Sequence, residues 1–243
     1  MAKTFGKVKF EHATGFKRAR NVATYSSRFY EGRYILGLIA GRMTTSNTVG
    51  YVASFPIPEV VRGINAAFLA ARSVNPRVQF KVIWVNTWFD PGKEADAARA
   101  LIDQGADILM QHTDSPAAMK IAEDAGIRAF GQASDMSRFG PSAQMTAIID
   151  NWAPYYVARV KAALDGEWKS EDTWGGFSTG MVALAPYNAN LPADVVAEAE
   201  AARKAIAAGE AVPMPVRFKV TMPDPPPNAQ SIEYGDMWSR GPE

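Results

Sequence analysis

The chain has 243 residues, with 26 basic and 25 acidic side chains, no cysteine and two histidines. Disulfides and thiolate chemistry are therefore excluded, and a net charge of +1 leaves no basic footprint for nucleic acid or an anionic membrane. His12 and His112 lie far apart in sequence, so a histidine-rich zinc site is not expected.

Hydrophobic residues make up 47% of the chain, enough for a substantial core. The opening "MAKTFGKVKFEHATG" lacks the charged start and apolar run of a secretory leader. The apolar stretch from Tyr34 to Ala40 is too short to span a bilayer. Read literally, the sequence predicts a soluble chain that is not exported.

In chain order, Val8 to Glu11 reads as a short strand, followed by a polar loop through Asn21 and Thr24. Ser26 or Ser27 is expected to cap a helix over Arg28 to Met43, with Tyr30, Tyr34, Leu38 and Ile39 at helical spacing. Gly32, Gly37 and Gly41 in that helix suit close packing. "TVGYVASF" reads as an apolar strand. The spacing of Val60, Val61, Ile64, Ala67, Phe68 and Ala71 predicts a helix over Glu59 to Ser73.

"QFKVIWVNT" is the next strand. Asp90 then caps a helix with Pro91 at its first position, buries Ala98, Leu101 and Ile102, and stops at Gly105. "ADILMQHT" is a third strand. Ser115 caps and Pro116 starts a helix over Ala118 to Ala125, closed by Gly126, and "IRAFGQAS" is a fourth strand.

This β-α-β-α-β-α-β alternation predicts an α/β fold, a parallel sheet covered on both faces. After Pro141 the pattern is less regular. It holds a strand or turn in "AQMTAIID", a helix from Ala153, a strand and turn in "STGMVALAPYNANL", and a helix over Pro192 to Ala208. A strand and a Pro-rich stretch follow in "PVRFKVTMPDPPPNAQ".

Ligands of open parallel sheets bind beyond the carboxyl ends of the strands. Those ends carry Ser54 and Phe55; Asn86, Thr87, Trp88, Phe89 and Asp90; Gln111, His112, Thr113 and Asp114; and Gln132, Ser134 and Asp135. Each has a plainer reading. Asp90 and Ser115 serve as caps, Phe55 packs on its prolines, Trp88 and Phe89 cover the sheet, and His112 is structural.

Jointly, aromatics with carboxylates and amides at one edge suit a small, flat, polar ligand such as a nucleobase. Adjacent residues leaving a strand point opposite ways, so Trp88 rather than Phe89 is expected to face the cleft. Asp90, Asp114 and Asp135 leave an acid–base enzyme acting on a nucleoside or sugar as an alternative. There is no G-x-S-x-G motif, metal-ligand cluster or G-x-G-x-x-G loop. No cofactor and no metal are expected.

"SNTVGYVASFPIPEVVRGINAAFLAARSVNP", "NTWFDPGKEADAARALIDQGADI", "QHTDSP" and "FGQASDM" resemble the basic membrane protein (BMP) family of ABC-transporter substrate-binding proteins. This group is related to the purine nucleoside receptor lipoproteins. The upstream "FEHATGFKRARNVATYSSRFYEGRYILGLIAGRMT" and the later "NWAPYYVARVKAALDGEW" are similar too. The resemblance implies a type I periplasmic-binding-protein-like, doubly wound parallel sheet.

It further implies a non-catalytic receptor in the periplasm or cell envelope that captures a purine base or nucleoside and hands it to a membrane permease. A ligand-sensing module of the same fold is an alternative. "QHTDSP" resembles the branch associated with adenine-type ligands. Nucleoside-binding members often carry a Lys in a motif like "TSVVK"; "TAIIDNW" puts Asp150 or Asn151 near that place, which favours a free base. The candidate ligand contacts are Phe55, Trp88, Asp90, His112, Thr113, Asp114, Gln132, Asp135 and Trp152, with Trp88 as the stacking residue.

The resemblance also implies an N-terminally truncated receptor, with one complete lobe and part of the other. Residues 1–47 are expected to be a remnant of the first lobe with a crossover helix. Residues 48–140 form the complete second lobe, and residues 141–243 return to the first. Apolar surface and strand edges are then expected to be exposed, and such a piece alone should bind ligand weakly.

Overall fold

The computed structural model describes residues 1–210. The strand and Pro-rich stretch expected over 215–230 lie outside the described residues.

Six strands form one sheet in the order β4-β3-β5-β6-β7-β9. They are β3 (Thr48–Ala53), β4 (Gln79–Trp84), β5 (Ile108–His112), β6 (Arg128–Gly131), β7 (Gln144–Asp150) and β9 (Val182–Leu184). All pairings are parallel except β7 with β9. A second, three-stranded parallel sheet runs β1-β2-β8, from β1 (Phe10–Ala13), β2 (Val22–Ser27) and β8 (Asp172–Gly175).

The six-stranded sheet is covered on both faces, as its near-continuous apolar strands require. One face meets α1 (Phe29–Met43), α2 (Pro58–Val74) and α6 (Ala193–Ala207) around Ile35, Ile39, Tyr51, Met110, Phe130 and Ile148. The other meets α3 (Pro91–Asp103) and α4 (Ala117–Asp124) around Leu101, Leu109 and Met119. Strands β7 and β9 extend the sheet that holds residues 48–131, so the boundary expected near 140 falls between two paired strands.

The glycines of α1 set how closely it approaches its neighbours. A Cβ on Gly37 would lie 2.1 Å from the Ala67 carbonyl oxygen, and one on Gly41 would lie 2.5 Å from that of Ala71. One on Gly32 would meet Ile148 Cγ2 at 2.8 Å. The glycine–alanine seam therefore brings α1 and α2 into backbone contact.

At the amino-terminal edge of the sheet, Asp107 staples the exit of α1. Its carboxylate accepts from Thr44 Oγ1 (2.6 Å), Thr45 N–H (2.6 Å), Thr45 Oγ1 (2.7 Å) and Ser46 N–H (2.9 Å). These bonds hold its carboxyl below the usual carboxylate range.

Several local expectations are corrected. Residues 22–27, expected as loop and cap, form β2. Neither Ser26 nor Ser27 caps α1; the cap position is Arg28, with no side-chain cap bond. Ser27 Oγ instead donates to Asp150 Oδ1 at 2.8 Å, joining the two sheets. Ser115 does not occupy the cap position of α4, which is Pro116, but its Oγ accepts from Ala117 N–H at 3.2 Å.

Helix α5 (Ala153–Leu164) carries an apolar stripe that the other described residues leave exposed, with Val157 at 69%, Val160 at 60% and Leu164 at 82%. Gly37→Ala should lower stability by about 3 kcal/mol, the upper range for overpacking a tight contact. A urea titration should show a lower midpoint with an unchanged slope.

Candidate functional site

The carboxyl ends of β3 to β7 open on one edge, and side chains from four elements meet there. After β4 the chain turns through Asn86, whose φ of 52° is left-handed, and presents Trp88. Asp90 then caps α3. Its Oδ1 accepts from Lys93 N–H at 3.1 Å, while Glu94 Oε1 accepts from Asp90 N–H at 3.0 Å, a reciprocal capping box. The Asp114 N–H donates to the Trp88 carbonyl at 2.8 Å, tying the turns after β4 and β5 together.

The Trp88 ring lies 5.5 Å from Phe55 and 6.0 Å from His112, and Phe29 lies 5.7 Å beyond His112. These separations fit tilted aromatic contacts, so four rings form a continuous strip. Trp88 is 39% exposed, which leaves ring surface for a ligand. Phe89 is 62% exposed and has no ring contact among the described residues.

Burial, with Arg33 nearby, pushes His112 down to about 3. Its imidazole is neutral at physiological pH, and its buried Nδ1 has no protein partner among the described residues.

Beneath the strip lies Arg33, a cation that no local sequence signal exposes as functional. It is 0% exposed. Its Nη2 donates to the Gln111 carbonyl at 2.6 Å and to Gln132 Oε1, bracing the ends of β5 and β6. Its guanidinium carbon sits 5.0 Å from the Phe29 ring centre and 5.3 Å from that of Tyr51. Arg33 Nε, Arg33 Nη1 and Tyr51 OH are buried without a partner among the described residues.

The remaining candidates divide. Thr113 is buried, and its carbonyl accepts from Gln111 Nε2 at 3.0 Å. Asp114 is exposed at the edge, its carboxyl raised by burial and by Glu94. Asp135 Oδ1 accepts from Ser137 N–H (2.9 Å) and Gln144 Nε2 (2.8 Å), which hold its carboxyl below the usual range. Trp152 stands apart from the strip, edge-on to Tyr25 at 5.2 Å in a cluster with Tyr155 and Met181.

Sequence reasoning did not include Arg33, Tyr51 or Asp150 among the contacts. Asp150 ends β7, and its N–H donates to the Ala133 carbonyl at 3.1 Å; Ala133 itself is left-handed at φ 55°. Desolvation pushes the Asp150 carboxyl up to about 6, and Glu59 adds to the rise, while the Ser27 hydrogen bond and Arg33 oppose it.

Comparison with known proteins gives this fold and edge a family. The family model described as Bmp, ABC transporter substrate-binding protein PnrA-like, matches residues 1–214. The chain belongs to the Bmp family. It is 57% identical over 213 residues to "Purine-binding protein BAB2_0673" of Brucella abortus (strain 2308), covering 88% of this chain and 61% of that protein. It is 44% identical over 195 residues to "Putative ABC transporter glucose-binding protein TsgA13" of Haloferax volcanii, covering 80% and 50%. The chain thus spans about half to three fifths of the length of these curated relatives.

Among solved structures it is similar to an ABC transporter solute-binding protein from Aeropyrum pernix K1, with a TM-score of 0.75, 15% identity, and coverage of 86% of this chain and 71% of that one. Another from Conexibacter woesei DSM 14684 gives a TM-score of 0.69, 22% identity and coverage of 88% and 74%. These neighbours show the fold, that of type I periplasmic binding proteins.

Asp90→Ala should remove the cap of α3 and cost about 1 kcal/mol. Thermal melts of Asp90→Ala and Asp90→Asn should separate, because Asn retains the cap.

Proposed function

We propose that the protein captures a purine base, adenine-like in its donor and acceptor edges, at the carboxyl edge of its six-stranded sheet. It then delivers the base, unchanged, to an ABC permease at the cell envelope. The carrying observation is the ring strip Phe55–Trp88–His112–Phe29, which supplies aromatic faces for a flat heterocycle above a floor of polar groups.

The Brucella relative named as purine-binding supports the ligand class. Binding is favoured over acid–base chemistry because two of the three edge aspartates are engaged locally: Asp90 in a helix cap and Asp135 in a turn. Thr113, Gln132 and Asp135 contribute through the shape of the edge, whereas Phe55, Trp88, His112 and Asp114 can face the ligand. Trp152, on the far cluster, belongs to the site only if the two sheets close on the ligand.

A second reading has one observation in its favour: the Haloferax relative is named as putatively glucose-binding. Aromatic rings also stack on sugars, so the two readings are separated by titration. NMR titrations with adenine, adenosine and glucose read weak as well as tight binding, and chromatography of the recovered ligand reads turnover. Trp88→Ala should weaken adenine binding by roughly 1–3 kcal/mol, the scale of base–aromatic stacking. Binding of glucose but not adenine would transfer the function to sugars, and a converted ligand would indicate an enzyme.

A further inference from the structure

Glu94, in the first turn of α3, is fully buried, and its one hydrogen bond among the described residues goes to a backbone amide. A buried carboxylate is costly unless its oxygens are met. A capping-box glutamate does its work equally well at the surface, so the cap alone does not account for the burial.

The position of Glu94 in the fold shows what else it serves. Gly50, Val52 and Ser54 share the face of β3 that meets α3. A Cβ on Gly50 would lie 2.9 Å from Leu101 Cβ, and Val52 packs in the cluster of Ala98 and Leu101. Glu94 precedes those two residues by one and two turns on the same helix face. From the Gly50–Leu101 contact toward the carboxyl edge, the helix from Leu101 back to Glu94 reaches about 10 Å, and the strand from Gly50 to Ser54 about 13 Å. Glu94 therefore comes to the edge over Ser54.

Both side chains carry an unmet group there. Glu94 Oε1 accepts from Asp90 N–H at 3.0 Å, but Oε2 is buried without a partner among the described residues, and so is Ser54 Oγ. Each stands behind one ring of the strip. Ser54 precedes Phe55, and its carbonyl accepts from Asn86 N–H at 2.9 Å, where the Trp88 turn begins. Asp90 ends that turn. The Asp114 N–H holds its middle at the Trp88 carbonyl, and Glu94 adds to the rise of the Asp114 carboxyl, which puts the two carboxyls close together.

Resting on the purine reading, we infer that Glu94 is a positioning residue for the Phe55–Trp88 ring pair. It does not touch the base. One oxygen holds the far end of the Trp88 turn through Asp90, and the other is joined to the Ser54 hydroxyl by one shared buried water. A water in that place meets both groups at small cost in its own freedom. The link ties the strand end bearing Phe55 to the turn bearing Trp88. It thereby fixes the 5.5 Å ring separation that presents Trp88 to a flat heterocycle.

The test combines adenine titrations of the full chain with a ligand-free measurement, the nuclear Overhauser effect between the Trp88 indole and the Phe55 ring. Glu94→Ala should weaken adenine binding about tenfold, the upper range for one lost hydrogen bond, and abolish the ring contact. Ser54→Ala should weaken binding about threefold, and the double variant should be no weaker than Glu94→Ala, because both remove one link. Glu94→Gln keeps an acceptor for Asp90 and a partner for the water, and should hold binding within about twofold of wild type. Leu101→Val loosens the same helix without touching the link; it should lower the melting temperature yet leave adenine affinity unchanged.

Wild-type affinity in Glu94→Ala or Ser54→Ala would overturn the inference, as would strictly additive losses or an equal loss in Leu101→Val. Ser54→Ala leaves the α3 cap intact, so its result decides even if Glu94→Ala fails to fold. Absence of adenine binding to the wild-type chain would remove the purine reading instead. The ring contact is read without ligand, and its survival in Glu94→Ala would overturn the inference on its own.

Discussion

A guanidinium enclosed between a helix and a sheet is expensive, costing several kcal/mol unless its donors are met. Arg33 is fully enclosed and, among the described residues, has only one nitrogen in hydrogen bonds, both to the strand-end segments of β5 and β6. The glycine–alanine seam holds α1 against α2, and Gly63 of α2 leaves room for the side chain: a Cβ there would lie 3.3 Å from Arg33 Cγ. Arg33 in turn fixes Gln111 and Gln132, biases Asp150 and depresses His112. Burial makes the imidazole neutral and that charge reinforces it, and two of the unmet donors are the guanidinium's own.

The aromatic strip shows how a parallel sheet turns backbone geometry into recognition. Two left-handed residues, Asn86 and Ala133, sit where β4 and β6 give way to their loops. For Ala this conformation is unfavourable, of order 1 kcal/mol. Both redirect the chain at the carboxyl edge, and the carbonyl of Ala133 receives the last amide of β7. Local strain therefore shapes the edge at which the rings and polar groups assemble.

Much of this was legible in the sequence, for identifiable reasons. The four strands and three helices of residues 48–131 carry apolar runs and periodic faces, and Asp90-Pro91 is a helix start written in local chemistry. The glycines of α1 spelled close packing. Strand β2 was hidden because "VATYSS" reads as polar turn chemistry, whereas its Ser27 serves a contact 123 residues away. Arg33 was hidden for the same cause, and Asp150 was marked only by the family motif it replaces. Nothing in a helix pattern marks which cation will be enclosed, and nothing in a strand end marks which carboxyl will be buried and raised. The ring contacts among Phe55, Trp88 and His112 were foreseeable as neighbours at one edge, but Phe29 joined them only through the path of α1.

The Asp107 staple gives the sheet two ends with opposite chemistry. Asp107 is held below its ordinary value by four donors, so its share of stability is present at neutral pH and disappears as acid protonates it. Asp150 is held above its ordinary value, so its ionisation weakens the fold as pH rises toward about 6, and acid relieves it. Acidification thus loosens the floor of the domain while relaxing its mouth, and the molecule's response to a change of compartment is polarised along its strands.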